Sequence, residues 1–258
     1  MAGLGARSVL VTGANRGIGL ELVRQLLGSS DPPQWLFACC RDPDGERGQQ
    51  LRKLASSHPN LTIVKLDTCD PSSIKAAVAR ATEQLNGARL NLLINNAGIV
   101  RQHTLESETS ESMSEVYKTN VIGPMMVTQA FLPLLRKASE VSSQKGMSCS
   151  KAAIVNISSL CGSITDILAW ELGHNINYRC SKAALNMLTQ CQSRGFAEDE
   201  ILCISLHPGW LQTDMGNLIG LAPMTVDEGV REILNTLAHL SEKENGTFVN
   251  LDGKPLPW

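Results

Sequence analysis

Aromatic side chains are scarce in this chain: Phe, Trp and Tyr make up 4% of its 258 residues, and only Tyr117 and Tyr178 are tyrosines. A surface that stacks successive nucleic-acid bases needs more than that. Excess charge is also lacking. The 23 Lys and Arg against 25 Asp and Glu leave a net charge of −2, which gives no basic field to gather nucleic acid. No apolar run reaches the roughly 18 residues that read as a membrane span. The opening "MAGLGARSVLVTGA" has no apolar h-region followed by a small-residue cleavage site. None of the eight cysteines forms a C-x-x-C pair, and no His/Cys cluster has ligand spacing, so no metal site is expected. The cysteines read as reduced, mostly buried small hydrophobes of a cytoplasmic protein.

What the chain does have is a hydrophobic content of 43% with 19% charge, ample for a globular core. Apolar runs recur at 8–13 (SVLVTG), 35–40 (WLFACC), 61–67 (LTIVKLD), 90–98 (LNLLINNAG), 152–159 (AAIVNISS), 201–209 (ILCISLHPG) and 247–253 (TFVNLDG). Most are nearly continuous rather than alternating, as strands buried on both faces are. Helical patterns lie between them. Leu22, Val23, Leu26 and Leu27 share a stripe that stops at Gly28, and "DPSSIKAAVARATEQL" opens with cap-type residues and Pro71. The alternation predicts an α/β fold, a Rossmann-like doubly wound sheet of seven mostly parallel strands with helices on both faces. No repeat or linker divides the chain, so residues 1–258 are expected to form a single catalytic domain. The polar stretch 136–151 reads as a surface loop before the fifth strand.

The first run leads into "TGANRGIG", where Gly13, Gly17 and Gly19 join a strand to a helix. Glycines there let the backbone approach a pyrophosphate held at the helix N-terminus; the alternative is a plain packing turn. The second run ends in "ACCRDP". Arg41, with Arg16 in the glycine loop, suits a ribose 2′-phosphate and so NADP(H). Asp42 could instead hold a 2′-hydroxyl, which keeps NAD(H) open.

"YRCSK" sets Lys182 one helical turn from Tyr178. A free tyrosine has a pKa of about 10, too high to exchange a proton easily near neutrality. A lysine on the same face favours the phenolate and is expected to lower that pKa. Tyr178 then reads as the acid in carbonyl reduction and the base in alcohol oxidation. A hydroxyl is also needed where charge develops on the substrate oxygen, and Ser158 and Ser159 compete for that place.

"TGANRGIG", "NNAG" (95–98), "TNVIGP" (119–124), "NISS" (156–159), "YRCSK" (178–182) and "PGWLQT" (208–213) occur together and in this order. Along nearly its whole length the chain resembles the short-chain dehydrogenase/reductase family, in its compact single-domain branch. "ACCRDP", "TDMG" and the final "DGKPLPW" are similar to the carbonyl reductase subgroup that includes Sniffer-type reductases and the bacterial C-factor. The resemblance implies a catalytic set of Asn120, Ser159, Tyr178 and Lys182, with Lys182 also gripping the nicotinamide ribose. It implies cofactor contacts at Gly13, Asn15, Arg16, Gly17, Ile18, Gly19 and Arg41. Asp67 and Thr68 follow the third strand, and Asn96, Ala97 and Gly98 line the adenosine side. Pro208 and Gly209 pass behind the nicotinamide, and Thr213 holds its carboxamide.

The spacing from Ser159 to Tyr178 is longer than the family's. The extra segment 162–176 either shapes the pocket, with Trp170 as a wall, or is a surface excursion. After Thr213, Met215, Leu218, Ile219, Leu221 and Met224 form either a packing stripe or, as the family implies, a lid over an apolar substrate. His207 reads as a satisfied structural histidine, and His103 and His174 are discounted as acid/base groups. The resemblance also implies pairing into a homodimer or homotetramer through helices near 112–137 and 177–194. The expected activity is NADPH-dependent reduction of small-molecule aldehydes or ketones. A cofactor-binding signalling or scaffold protein with little turnover is the rival, and the joint presence of Tyr178 and Lys182 speaks for the enzyme.

Overall fold

In the computed structural model, residues 3–167 and 170–258 are described. The seven apolar runs become β1 (Ser8–Thr12), β2 (Trp35–Cys40), β3 (Leu61–Lys65), β4 (Leu92–Asn95), β5 (Ala153–Ile157), β6 (Leu202–His207) and β7 (Phe248–Asn250). They form one sheet in the order β3-β2-β1-β4-β5-β6-β7, with every neighbouring pair parallel. The sequence predicts this sheet as mostly parallel; its named strands are wholly so.

Period-two alternation explains why the runs are apolar throughout. Val9 and Val11 of β1 enter one core layer and Leu10 the other. In β2, Leu36, Ala38 and Cys40 face the first layer while Phe37 and Cys39 face the second. The first layer is closed by α1 (Gly17–Leu27), α2 (Gln49–Ser57) and α7 (Val226–His239), through residues such as Leu22, Leu51 and Ile233. The second is closed by α3 (Pro71–Leu85) and α5 (Gly123–Glu140), through Ile74, Ala77, Val127 and Phe131. A strand with water on one face would have had to alternate with polar residues; these strands are covered on both faces.

Beside these, α4 (Ser110–Tyr117) and α6 (Ile176–Gly195) pack on each other. The face that α6 buries is largely polar, with Ser181, Lys182, Asn186, Thr189, Gln192 and Ser193. The sheet answers in kind. Asn156 Nδ2 donates to Thr189 Oγ1 and Gln192 Oε1, both at 2.8 Å, and Thr189 shares a 2.8 Å bond with Ser205. Buried polar groups are tolerated when paired in this way.

Two expectations change. Arg136–Glu140, expected in a loop, form the last turns of α5, because Leu135 and Ala138 continue its buried stripe. The cysteines divide more evenly than expected. Cys39, Cys40, Cys149 and Cys203 are buried, whereas Cys180 and Cys191 lie exposed on α6, and all eight are free. Among the described residues no helix is long and apolar enough to cross a membrane.

Beyond β7 the chain turns back on itself. Asn250 N–H donates to the Lys254 carbonyl at 2.8 Å, Leu256 N–H to the Phe248 carbonyl at 2.7 Å, and Val249 and Pro255 form an antiparallel bridge. Trp258 stacks on Phe248 with centroids 5.7 Å apart.

Candidate active site

The order of the strands reverses between β1 and β4, and ligands of parallel sheets bind beyond the carboxyl ends of the strands at such a point. A cleft of about 910 Å³ opens there. It is lined by Gly13, Asn15, Arg16, Gly17, Ile18, Arg41, Asp67, Thr68, Asn96, Ala97, Gly98, Tyr178, Lys182, Pro208 and Thr213, all expected from the sequence.

At one end sits the glycine loop. Gly13 has φ +64, and a Cβ there would lie 2.9 Å from the Ala97 Cα. Only glycine lets the two backbones meet so closely. Gly19 does not line the cleft; a Cβ on it would sit 2.3 Å from the Gly13 carbonyl, so its role is helix-to-turn packing. Thr12 fixes the opposite wall, since its hydroxyl accepts from both the Asn96 and Ala97 N–H at 3.0 Å. Asn96 Nδ2 returns a bond to the Thr12 carbonyl at 2.9 Å. Thus Asn96 both pairs the neighbouring strand ends and lines the cleft.

The N-terminus of α1 has no side-chain cap, whereas α3, α4 and α7 are capped by Asp70, Thr109 and Thr225. Free N–H groups and the positive end of a helix facing a cleft fit an anionic group such as a pyrophosphate. Farther out, Arg16 and Arg41 are joined by Arg47, which no motif marks. Asp42 Oδ1 accepts from the Gly45 N–H at 3.0 Å, so its carboxylate is engaged in the turn after β2. Asp214 reaches over from the segment after β6 and pairs with Arg16 at 3.3 Å and Arg47 at 3.5 Å.

At the other end lie the candidate catalytic groups. Ser158 is buried and donates to Asn186 Oδ1 at 2.6 Å. Ser159 accepts from the Cys161 N–H at 3.1 Å, and its side chain stands near enough to the Tyr178 hydroxyl to favour the phenolate slightly. Ser158 lines the cleft and Ser159 does not, but the Ser158 hydroxyl is spent on Asn186, and Ser159 is the serine that acts on Tyr178. Lys182 is 4% exposed; its Nζ donates to the Ile157 carbonyl at 2.7 Å and lies 5.4 Å from the centre of the Tyr178 ring. Gly162 makes this placement feasible. A Cβ there would come within 2.7 Å of the Lys182 backbone, so the turn after β5 can lie against α6.

The pKa directions differ from the sequence expectation. Burial pushes Tyr178 up, helped by the nearby Cys161 sulfur, and Ser159 only partly opposes them. Burial pushes Lys182 down to about 8, against a smaller upward pull from Cys161. In the chain by itself, desolvation of the phenol is the largest influence on Tyr178.

Asn120 stands behind the cleft, fully buried in a five-residue π-turn, Lys118–Ile122, between α4 and α5. Such turns recur at functional sites. Its side chain pairs with Ile99 and donates to Ser181 Oγ at 3.0 Å. Gly209 faces Leu211 and Leu251 rather than the cleft. Burial pushes His207 down to about 4, and its Nδ1 accepts from the Leu160 N–H at 3.3 Å, the structural role expected of it.

Within the insertion 162–176, residues 168 and 169 lie outside the described ones. None of its described residues lines the cleft. Trp170 stacks on His174 at 4.4 Å and lies beneath the Arg179 guanidinium at 5.5 Å. In the segment after Thr213, Met215, Asn217 and Leu218 do line the cleft, and Gln102 Nε2 donates to the Leu218 carbonyl at 3.0 Å. Leu221 is 90% exposed, which argues against a packing stripe. The Ile219 side chain lies outside the described ones.

A nucleotide cleft at the switch point of a parallel sheet, with a buried lysine beside a tyrosine at its inner end, marks an oxidoreductase of the dinucleotide-binding class. The chain belongs to the short-chain dehydrogenase family, whose model matches residues 7–222. An NADPH-bound carbonyl reductase from chicken fatty liver is 58% identical, superposes with a TM-score of 0.94, and is covered over 99% of its length by 98% of this chain. The carbonyl reductase Sniffer of D. melanogaster is 39% identical with a TM-score of 0.92, over 98% of this chain and 100% of that one. An uncharacterised oxidoreductase of Schizosaccharomyces pombe is 31% identical over 96% of both chains.

Proposed function

We propose that the chain reduces aldehyde and ketone carbonyls to alcohols with NADPH, as one catalytic domain. The observation that carries this reading is the placement of Tyr178, with Ser159 beside it, and Lys182 on the same cleft that Arg16, Arg41 and Arg47 line. The likeness to a carbonyl reductase described as NADPH-bound supports it.

The residues divide the work. The N–H groups at the start of α1 would hold the pyrophosphate, and Arg16, Arg41 and Arg47 the adenosine phosphate. When bound, the nicotinamide supplies the hydride. Ser159 holds the carbonyl oxygen, and Tyr178 gives it a proton. A phenol kept neutral by burial is ready to donate at neutral pH. Lys182 sets its charge beside the phenolate that donation leaves. The apolar Met215 and Leu218 on the cleft wall suit small to medium apolar carbonyl compounds.

The test is NADPH oxidation at 340 nm with a panel of aldehydes, ketones and quinones, beside NADH and Tyr178→Phe. Turnover that prefers NADPH and vanishes in the variant supports the reading. Tight NADPH binding with no turnover across the panel would move a non-catalytic role ahead.

A further inference from the structure

Asn177, in the first turn of α6, repeats the pairing that Asn120 makes from the π-turn between α4 and α5. Asn120 Oδ1 accepts from the Ile99 N–H and its Nδ2 donates to the Ile99 carbonyl, both at 2.9 Å. Two residues farther on, Asn177 Oδ1 accepts from the Arg101 N–H at 3.3 Å and its Nδ2 donates to the Arg101 carbonyl at 3.1 Å. Along an extended chain, residues two apart present their backbone groups to the same edge. The two carboxamides therefore imitate a neighbouring strand along the segment that follows β4. Both are tied to α6: Asn177 lies in its first turn, and Asn120 reaches Ser181. Tyr178 sits between these two anchors.

Asn177 is 1% exposed and fixed from behind. Its Nδ2 also donates to Glu108 Oε2 at 2.7 Å and to Ser112 Oγ at 3.2 Å, so two hydrogens serve three acceptors. Its backbone N–H donates to the same Glu108 oxygen at 3.1 Å. The cap residue of α6, Asn175, has φ +44 and makes no capping bond of its own. Glu108, from the loop before α4, thus supplies a carboxylate at the positive end of the helix that carries Tyr178.

We propose that Asn177 is a positioning residue for Tyr178 and that Glu108 holds the Asn177 carboxamide in place. The pair registers the first turn of α6 to the segment after β4 and so sets where the Tyr178 hydroxyl stands. The inference rests on the reading of Tyr178 as proton donor.

The experiment compares Asn177→Ala, Glu108→Ala and Tyr178→Phe in the full chain, with the panel substrate that the unaltered chain turns over fastest. A misplacement of about 1 Å costs on the order of 10²-fold in rate, so Asn177→Ala is expected to lower kcat about 10- to 100-fold. NADPH affinity, measured by titration, should stay within about twofold, because neither residue lines the cleft. A crystal structure of Asn177→Ala should find the Tyr178 hydroxyl displaced relative to Lys182, whether or not any panel substrate is turned over. An unmoved hydroxyl, or unchanged kcat in Asn177→Ala with Tyr178→Phe inactive, overturns the positioning role alone. An active Tyr178→Phe overturns the proton-donor reading and this role with it. If Asn177→Ala is insoluble, Glu108→Ala carries the same expectations and the same overturning results.

Discussion

Ser158 gives its hydroxyl to Asn186 at 2.6 Å, which leaves Ser159 as the serine that acts on Tyr178. The two should therefore fail differently. Ser159→Ala is expected to lower kcat by about 10²- to 10³-fold, the usual cost of losing a donor at a developing oxyanion, with about 1 kcal/mol of stability lost with the cap on the Cys161 N–H. Ser158→Ala strands the Asn186 carbonyl in a buried setting and should cost about 1–3 kcal/mol of stability while turnover stays within a few-fold. Steady-state kinetics and urea unfolding on both variants check the pair.

Lys182 should carry a stability cost. Its pKa in the folded chain is about 8, below the roughly 10.4 of a free lysine. Between those values the unfolded chain holds a proton that the folded chain has released, so stability rises with pH across that window. Below about pH 8 the buried charge is fully present and its cost is greatest. Lys182→Met should be inactive yet about 1–3 kcal/mol more stable at pH 7, with part of the gain lost to the unpaired Ile157 carbonyl. Unfolding curves at pH 7 and 9.5 should bring the two chains closer at the higher pH.

His207 predicts the opposite limb. Its folded pKa of about 4 lies below the unfolded value of about 6.5. The stability it contributes is complete above pH 6.5 and is lost as pH falls toward 4, by about 3 kcal/mol in all. A His207→Gln chain should show a flatter dependence of unfolding free energy over that window.

Arg41 is expected to distinguish the cofactors. Arg41→Ala should weaken NADPH about 10- to 100-fold, the worth of a charge-assisted hydrogen bond, and change NADH binding little. Equal losses for both would remove the adenosine phosphate from the account. Titrations at fixed ionic strength provide the comparison, since salt screens exposed cations.

The sheet was legible because burial on both faces leaves a signal in composition: a run such as "WLFACC" has nowhere polar to face. The glycine loop and the Tyr178–Lys182 pair were legible because their chemistry constrains spacing over a few residues. What stayed hidden depends on contacts across long stretches of sequence. Thr12 stitches to Asn96 and Ala97 some eighty residues away, and Glu108 reaches Asn177 across 69 positions. Neither residue type signals such a role. The direction of the Tyr178 shift is hidden from the sequence for a related reason. The lysine four residues away is visible in the sequence, but the desolvation of the phenol at the wall of the cleft is not.

The backward turn of the last residues has a consequence for how copies of this chain meet. A sheet whose outermost strand is only three residues long still offers an open ladder to any extended chain in solution. Here residues 254–256 already occupy part of that ladder, and Pro255 and Pro257 bring no N–H groups to the outward side. This edge of the sheet thus carries its own guard against pairing with another extended chain.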